Sequence, residues 1–297
     1  MSLRPRVITI IGLGLIGGSL AAACRKKFPH AKIIGISRRL ESINKARRKN
    51  WIHKGFQDLK EAMLYVEKRG LDTPNHLIVL CVPVDNLKGY LLKLDRLAPS
   101  GTVVTDTGSV KGFIVDWADR RNWRRIRYVG AHPMAGSHER GIDAAEPNLF
   151  DVSLTFVTRS RKDSPRALRF VKNFWSKISH RVVVVTPDEH DNLAAQVSHL
   201  PHLVAALLVS NVSSKALSFA ASGFRDTTRV AQGDPSLWVP VLLENRRQLS
   251  WVLQDLERKI KRAEEVLKKR DFRRLAEILR LAKRRRAALS DPMEELL

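Results

Sequence analysis

Acid–base chemistry on an anion needs a base, a polar partner and a cation, and the chain places candidates for each. His132 lies in Gly130-Ala-His132-Pro-Met-Ala-Gly136-Ser. An imidazole titrates near neutrality, which suits it to proton transfer. Ser109, in Thr105-Asp-Thr-Gly-Ser109-Val-Lys111, can donate and accept, and Gly108 lets the backbone come close. Read structurally, Ser109 is the cap of a following helix. Ser198-His199-Leu-Pro-His202 sets two histidines three apart, on one face of a helix. Such a pair could hold a metal, but no further ligands follow at matching spacing, so no metal is expected and His199 and His202 read as a wall facing substrate. Ser222-Gly-Phe-Arg225-Asp226-Thr-Thr-Arg229 precedes Asp234-Pro-Ser-Leu-Trp238. Guanidinium forks suit a carboxylate. Arg229 is the better choice, because Arg225 has Asp226 beside it as an internal partner.

These groups need a cofactor beside them, and residues 7–39 supply its cradle. The apolar run Val7–Ile11 meets Gly12-Leu-Gly14-Leu15-Ile16-Gly17, then a helical stretch, then a second apolar run ending at Ile36. Strand, glycine turn, helix and strand in that order hold a dinucleotide pyrophosphate. Gly12 permits the tight turn, Gly14 the approach of the phosphates, and Gly17 close helix packing. An NAD site would place an acid at the tip of the second strand. Ser37-Arg38-Arg39 stands there instead. A hydroxyl and two guanidiniums bind a 2′-phosphate that a carboxylate would repel, so NADP is expected over NAD.

Stepping outward, the first half alternates short apolar runs with helical patterns. Strands are expected at 7–11, 32–36, 76–81, 102–105, 128–131, 154–158 and 181–185, with helices at 16–27, 40–49, 59–68, 85–97, 113–120 and 164–178. This predicts an α/β Rossmann-like N-terminal domain with a doubly wound, mostly parallel sheet. The segments with Ser109 and His132 each follow a strand, at the carboxyl edge where open α/β sheets bind ligands. After Pro187 helices alone are expected, at 188–214, 235–267 and 271–289. The predicted organisation is a nucleotide-binding domain over 1–186 and an all-α domain over 187–297, which walls the cleft and builds a homodimer.

The chain has 297 residues and a formal net charge of +23, a field that attracts anions. Its two cysteines, Cys24 and Cys81, give no disulfide framework, and a reducing, cytoplasmic location fits. The basic, apolar N-terminus could be read as a secretory signal, but such a segment has no use for three glycines at turn spacing. No run reaches the roughly 18 apolar residues of a membrane helix, so no membrane partner is expected. No recognised nucleic-acid motif accompanies the charge. A basic nucleic-acid-binding protein with a vestigial nucleotide fold is nonetheless one rival. Another is a two-domain hydroxy-acid dehydrogenase, which would want a lysine on the helical domain.

Taken together, GLGLIGGSL (12–20), DTGSVK (106–111), GAHPMAGSHERGIDAAEPNLF (130–150), VSHLPH (197–202) and SGFRDTTRVAQGDPSLW (222–238) resemble the prephenate/arogenate dehydrogenases of tyrosine biosynthesis. The resemblance implies oxidative decarboxylation of a small anionic cyclohexadienol, with hydride transfer to a nicotinamide. Carried over by position, it makes His132 the catalytic histidine at the ring hydroxyl, with Ser109 assisting. Arg229 would hold a substrate carboxylate, and His202 and Trp238 would line the pocket. Cys81-Val82-Pro83 would be the strand end that approaches the cofactor. Ser37-Arg38-Arg39 departs from NAD-using members and resembles the NADP-using arogenate branch.

Overall fold

A computed structural model of the chain describes residues 4–71, 75–136, 139–162 and 164–289. Ser137 and His138 of the motif over 130–150 lie outside the described residues.

The first half builds a six-stranded parallel sheet. Its strands are β1 (Val7–Ile11), β2 (Lys32–Ile36), β3 (Lys54–Phe56), β4 (His76–Leu80), β5 (Thr102–Asp106) and β6 (Ile126–Tyr128), in the order β3-β2-β1-β4-β5-β6. Helices α1 (Leu15–Lys27), α2 (Leu40–Arg48), α3 (Leu59–Lys68), α4 (Leu87–Leu97) and α5 (Gly112–Asp119) connect the strands or follow them. β1, β4 and β5 are buried along their whole length. That is why they read as unbroken apolar runs, not as alternating ones. Apolar cores lie on both faces of the sheet, one around Ile8, Leu20 and Phe174, the other around Ile11, Leu87 and Ile114. β3, three residues long, carries too little pattern to be seen in the sequence.

The expected single sheet divides in two. β7 (Ala131–Pro133), β8 (Leu154–Thr158) and β9 (Arg181–Val185) form a separate sheet in that order, β7 antiparallel to β8 and β8 parallel to β9. The expected strand 128–131 is thus the end of β6 and the start of β7. The chain passes between the sheets at Gly130, where a Cβ would come 2.6 Å from Thr158 Oγ1. The amide of Val129 still bonds Val104 of the first sheet, and Gly130 O accepts from Thr158 N of the second. α6 (Pro165–Ile178) joins β8 to β9 and packs on the first core.

The remainder is helical: α7 (Pro187–Ala194), a π-helical segment Ala195–His199, α8 (Leu200–Ser210), α9 (Ser214–Leu217), α10 (Ser222–Thr228), a 3₁₀ turn Arg229–Gln232, α11 (Pro235–Glu244), α12 (Arg246–Lys268) and α13 (Phe272–Ala287). The expected helix over 235–267 is two helices that break at Asn245. The run Pro187–Ser210 is long and apolar enough, by length and composition, to cross a membrane. It nevertheless carries buried His190, Asp191, His199 and His202, while its Leu193, Val197, Leu207 and Leu208 are exposed. Among the described residues, all but four of the exposed large apolar side chains (Leu40, Leu64, Leu92 and Val152) lie in this helical half, while its own core cluster has only Ala195, Leu249 and Val252 buried.

A buried ion pair joins the two sheets. Lys111 and Asp106 are both inaccessible, and the Lys111 ammonium contacts the Asp106 carboxylate and donates to Ala131 O at 3.0 Å. The other Asp106 oxygen accepts from Tyr128 OH at 2.9 Å and Ala131 N at 3.1 Å. Burial pulls the Lys111 pKa down, and the Asp106 charge opposes that. Removing one partner leaves the other charged and dry, at a cost of ~3–5 kcal/mol. Lys111→Met is therefore expected to lose about that much stability in urea unfolding. A loss of about 1 kcal/mol or less, the worth of a surface pair, would contradict this.

Candidate active site

The loops that follow successive strands line one edge. Gly12 N bonds Ile36 O, Cys81 N bonds Ile11 O, and Thr107 N bonds Leu80 O. This places the glycine turn, Cys81-Val82-Pro83 and the Ser109 segment side by side past the carboxyl ends of β1, β4 and β5. Gly12 has φ +97°, and a Cβ there would lie 2.2 Å from Cys81 O. A Cβ on Gly17 would lie 1.8 Å from Gly12 O. Both positions exclude a side chain on backbone grounds alone. Gly14 differs, for a Cβ on it would meet nothing within 4 Å. It is also the N-cap of α1, with no side-chain cap and no acid in the first turn. Leu15 and Ile16 open that helix, so its first N–H groups and the positive end of its dipole face open space, as an anion site requires.

At the tip of β2, Ser37 Oγ accepts from Arg39 N at 3.2 Å and Arg38 O accepts from Gln57. Arg38 and Arg39 are exposed. The nearby acids are engaged elsewhere: Glu41 pairs with Lys45 at 2.8 Å, and Asp58 caps α3. The Cys81 thiol is pushed up to about 12, chiefly by burial, which keeps it a neutral wall of this edge.

Ser109 is half-buried and does not cap α5. The N-cap of α5 is Lys111, with no side-chain cap of its own. The capping oxygens come from eighty residues downstream. Asp191 Oδ1 accepts from Lys111 N at 2.7 Å, and Oδ2 accepts from Gly112 N at 2.8 Å. A Cβ on Gly112 would lie 2.8 Å from that carboxylate. Asp191 also accepts from His190 Nδ1 at 2.7 Å, and His190 Nε2 meets His132 Nδ1 at 2.9 Å.

From there the contacts run on through the helical half. The Asn245 amide donates to Asp191 O at 2.8 Å and to His199 Nδ1 at 2.9 Å. The His199 ring lies edge-on to Trp238, and His202 stacks on Trp238 with centroids 3.6 Å apart. Gly233 leaves room for that stack, since its Cβ would lie 2.4 Å from Trp238 Nε1. Across the mouth, Arg140 forms an ion pair with Asp234, the cap of α11. Burial holds His132 and His190 well below the usual imidazole range, and the Lys111 charge adds to the effect for both. Burial likewise brings His199 to about 4. Each shift favours the neutral ring, the form a base must have before it takes a proton.

The structure therefore brings His132, His199, His202 and Trp238 into one chain of contacts, with Ser109 beside it. Arg225 and Arg229 are exposed, and neither side chain makes a hydrogen bond or ion pair among the described residues. The internal pair that Arg225 could have formed with Asp226 is not made among the described residues. His190, Asp191, Asn245 and Arg140 were not foreseen from sequence. Asp188-Glu-His-Asp191 reads as the acidic start of a helix, and only the fold reveals its reach.

Family models for the nucleotide-binding domain and the dimerization domain of prephenate dehydrogenase match residues 20–184 and 186–281. The chain is 33% identical over 293 residues to a prephenate dehydrogenase of Bacillus subtilis, covering 95% of this chain and 76% of that one. The crystal structure of Aquifex aeolicus prephenate dehydrogenase with hydroxyphenyl propionate and NAD+ superposes with a TM-score of 0.86 at 29% identity, covering 98% and 100% of the two chains. Synechocystis arogenate dehydrogenase superposes with a TM-score of 0.78 at 30% identity, covering 95% and 99%.

Gly14→Ala separates a ligand role from a folding role. With no atom in its way, the added methyl should leave the melting temperature unchanged and weaken dinucleotide binding at least about tenfold, because it stands where backbone must approach pyrophosphate. Unchanged dinucleotide affinity by calorimetry would contradict this.

Proposed function

The chain belongs to the prephenate dehydrogenase family, and on that footing we propose that it oxidatively decarboxylates prephenate or arogenate with NADP as the preferred hydride acceptor, using His132 as base. The observations that carry this reading are an open, uncapped helix N-terminus past the carboxyl end of β1 and a buried, neutral imidazole on β7, the strand that follows β6 in the chain. Gly12, Gly14 and Gly17, with Leu15 and Ile16, hold the pyrophosphate. Ser37, Arg38 and Arg39 take the adenosine 2′-phosphate, and Cys81-Val82-Pro83 flanks the nicotinamide end. When bound, the nicotinamide accepts a hydride.

The remaining work falls to the chain. His132 Nε2 makes no hydrogen bond to the described residues, so it is free to take the substrate's hydroxyl proton while the same carbon gives up its hydride. The ketone that forms is conjugated to the carbon bearing the carboxylate. It draws in the electron pair of the breaking C–C bond, carbon dioxide leaves, and the ring becomes aromatic. Ser109 supports the hydroxyl. Arg229, unpaired and exposed, takes a substrate carboxylate, with Arg225 nearby. His199, His202 and Trp238 wall the ring. The exposed apolar surface of the helical half fits a homodimer of cytoplasmic subunits, and a monomeric mass in solution would rule that out.

The test crosses both substrates with NAD and NADP and follows nicotinamide reduction by absorbance. NADP should be favoured, and His132→Asn should lower kcat by roughly 10²–10⁴-fold, the worth of a placed base. Near-normal kcat in that variant, or no turnover of either substrate, would overturn the proposal. Arg229→Ala should raise KM for substrate far more than for the dinucleotide, whereas equal losses would contradict a carboxylate-binding role.

A further inference from the structure

A base works only if the correct ring nitrogen is bare, and the chain behind His132 determines which one that is. Asp191 accepts the two backbone amides of Lys111 and Gly112, which favour its ionised form. A carboxylate facing His190 Nδ1 at 2.7 Å requires a proton on that nitrogen, because two acceptors at that distance would repel. A neutral His190 ring then has its lone pair on Nε2. That lone pair, 2.9 Å from His132 Nδ1, requires the His132 proton on Nδ1. The nitrogen left bare is His132 Nε2.

The surroundings hold the rings in this order. The His190 ring stands edge-on to His132, with centroids 5.1 Å apart, and to Phe156 at 5.3 Å. Phe156 is itself the register partner of His132 between β7 and β8. Immediately before His190, α7 begins with a reciprocal cap in which Thr186 and Glu189 each bond the other's backbone amide. Capping α5 accounts for Asp191 but not for His190. His190 bonds no backbone amide of α5, yet it lies fully buried between a carboxylate and the base.

We propose that His190 and Asp191 are positioning residues that lock His132 in its Nδ1–H tautomer and stabilise the imidazolium that forms on it, leaving Nε2 as the base. This rests on the proposed role of His132. The same pattern of roles, a buried carboxylate fixing a base's tautomer, operates in serine proteases; here an extra imidazole is interposed.

The test reads protonation directly, by nitrogen-15 NMR of histidine-labelled enzyme, with His132→Asn identifying the His132 signals. In the wild type the bare His132 nitrogen should be Nε2. Asp191→Asn removes the charge facing His190 Nδ1 and sets its NH2 against the backbone amide of either Lys111 or Gly112, so kcat should fall roughly 10²–10⁴-fold. His190→Leu, which leaves the α5 cap intact, should lose kcat on the same scale with the dinucleotide KM unchanged. His190→Gln keeps an acceptor oxygen and should restore the tautomer and much of kcat. A wild-type ring bare at Nδ1, or His190→Leu with wild-type kcat and tautomer, would overturn the proposal. The tautomer is read without turnover, so a failure to oxidise either substrate would count against the proposed reaction and not against this arrangement.

Discussion

Asp191 is the side chain on which the site's geometry depends. It belongs to the first helix of the second half, yet its oxygens cap α5 of the first half and its partner ring touches His132 on the second sheet. Three parts of the molecule thus meet at one carboxylate. The bond from Asn245 to the Asp191 carbonyl adds the break between α11 and α12 as a fourth. A buried anion of this kind is tolerable only when its lone pairs are filled, and here two amides and an imidazole fill them. Burial still raises the Asp191 pKa, and the two backbone amides pull it back.

The surrounding electrostatics serve the same end. The ammonium of Lys111, held by Asp106, lies near the imidazole pair and discourages either ring from taking a proton at rest. Burial acts in the same direction and more strongly. The cationic surface that gives the chain its net charge lies outside this buried cluster, where Arg38, Arg39, Arg225 and Arg229 are exposed. The exposed guanidiniums and the buried, uncharged imidazoles are thus separate parts of the molecule.

What the sequence revealed follows the range of the interactions concerned. The β1–turn–α1–β2 unit was legible because its signals are local: Gly12 and Gly17 answer backbone contacts within the unit or with the adjacent strand end, and Gly14 leaves open space at the helix N-terminus. His132 and Ser109 were legible as residue types that follow strands, His199 and His202 as a pair on one helix face, and Trp238 only through the family resemblance. The relay behind them was not, because His132 and His190 are 58 residues apart and Lys111 and Asp191 are 80 apart. No periodicity encodes such pairings. The division of the sheet at Gly130 was hidden for a related reason: a strand that changes sheets reads as one apolar run. The thin core of the helical half is the converse case. Its helices were expected from the sequence, but that so many of their apolar side chains stay exposed is a fact of packing.

The central claim is that dinucleotide and base meet at one sheet edge, and a crystal structure of the enzyme with NADP and a hydroxyphenyl product analogue tests it most directly. The account predicts the pyrophosphate against Gly14 and the α1 N-terminus, the nicotinamide beside Cys81-Val82-Pro83, and His132 Nε2 within hydrogen-bonding reach of the ring hydroxyl. A nicotinamide bound away from that edge, or a His132 ring presenting Nδ1 to the ligand, would contradict it.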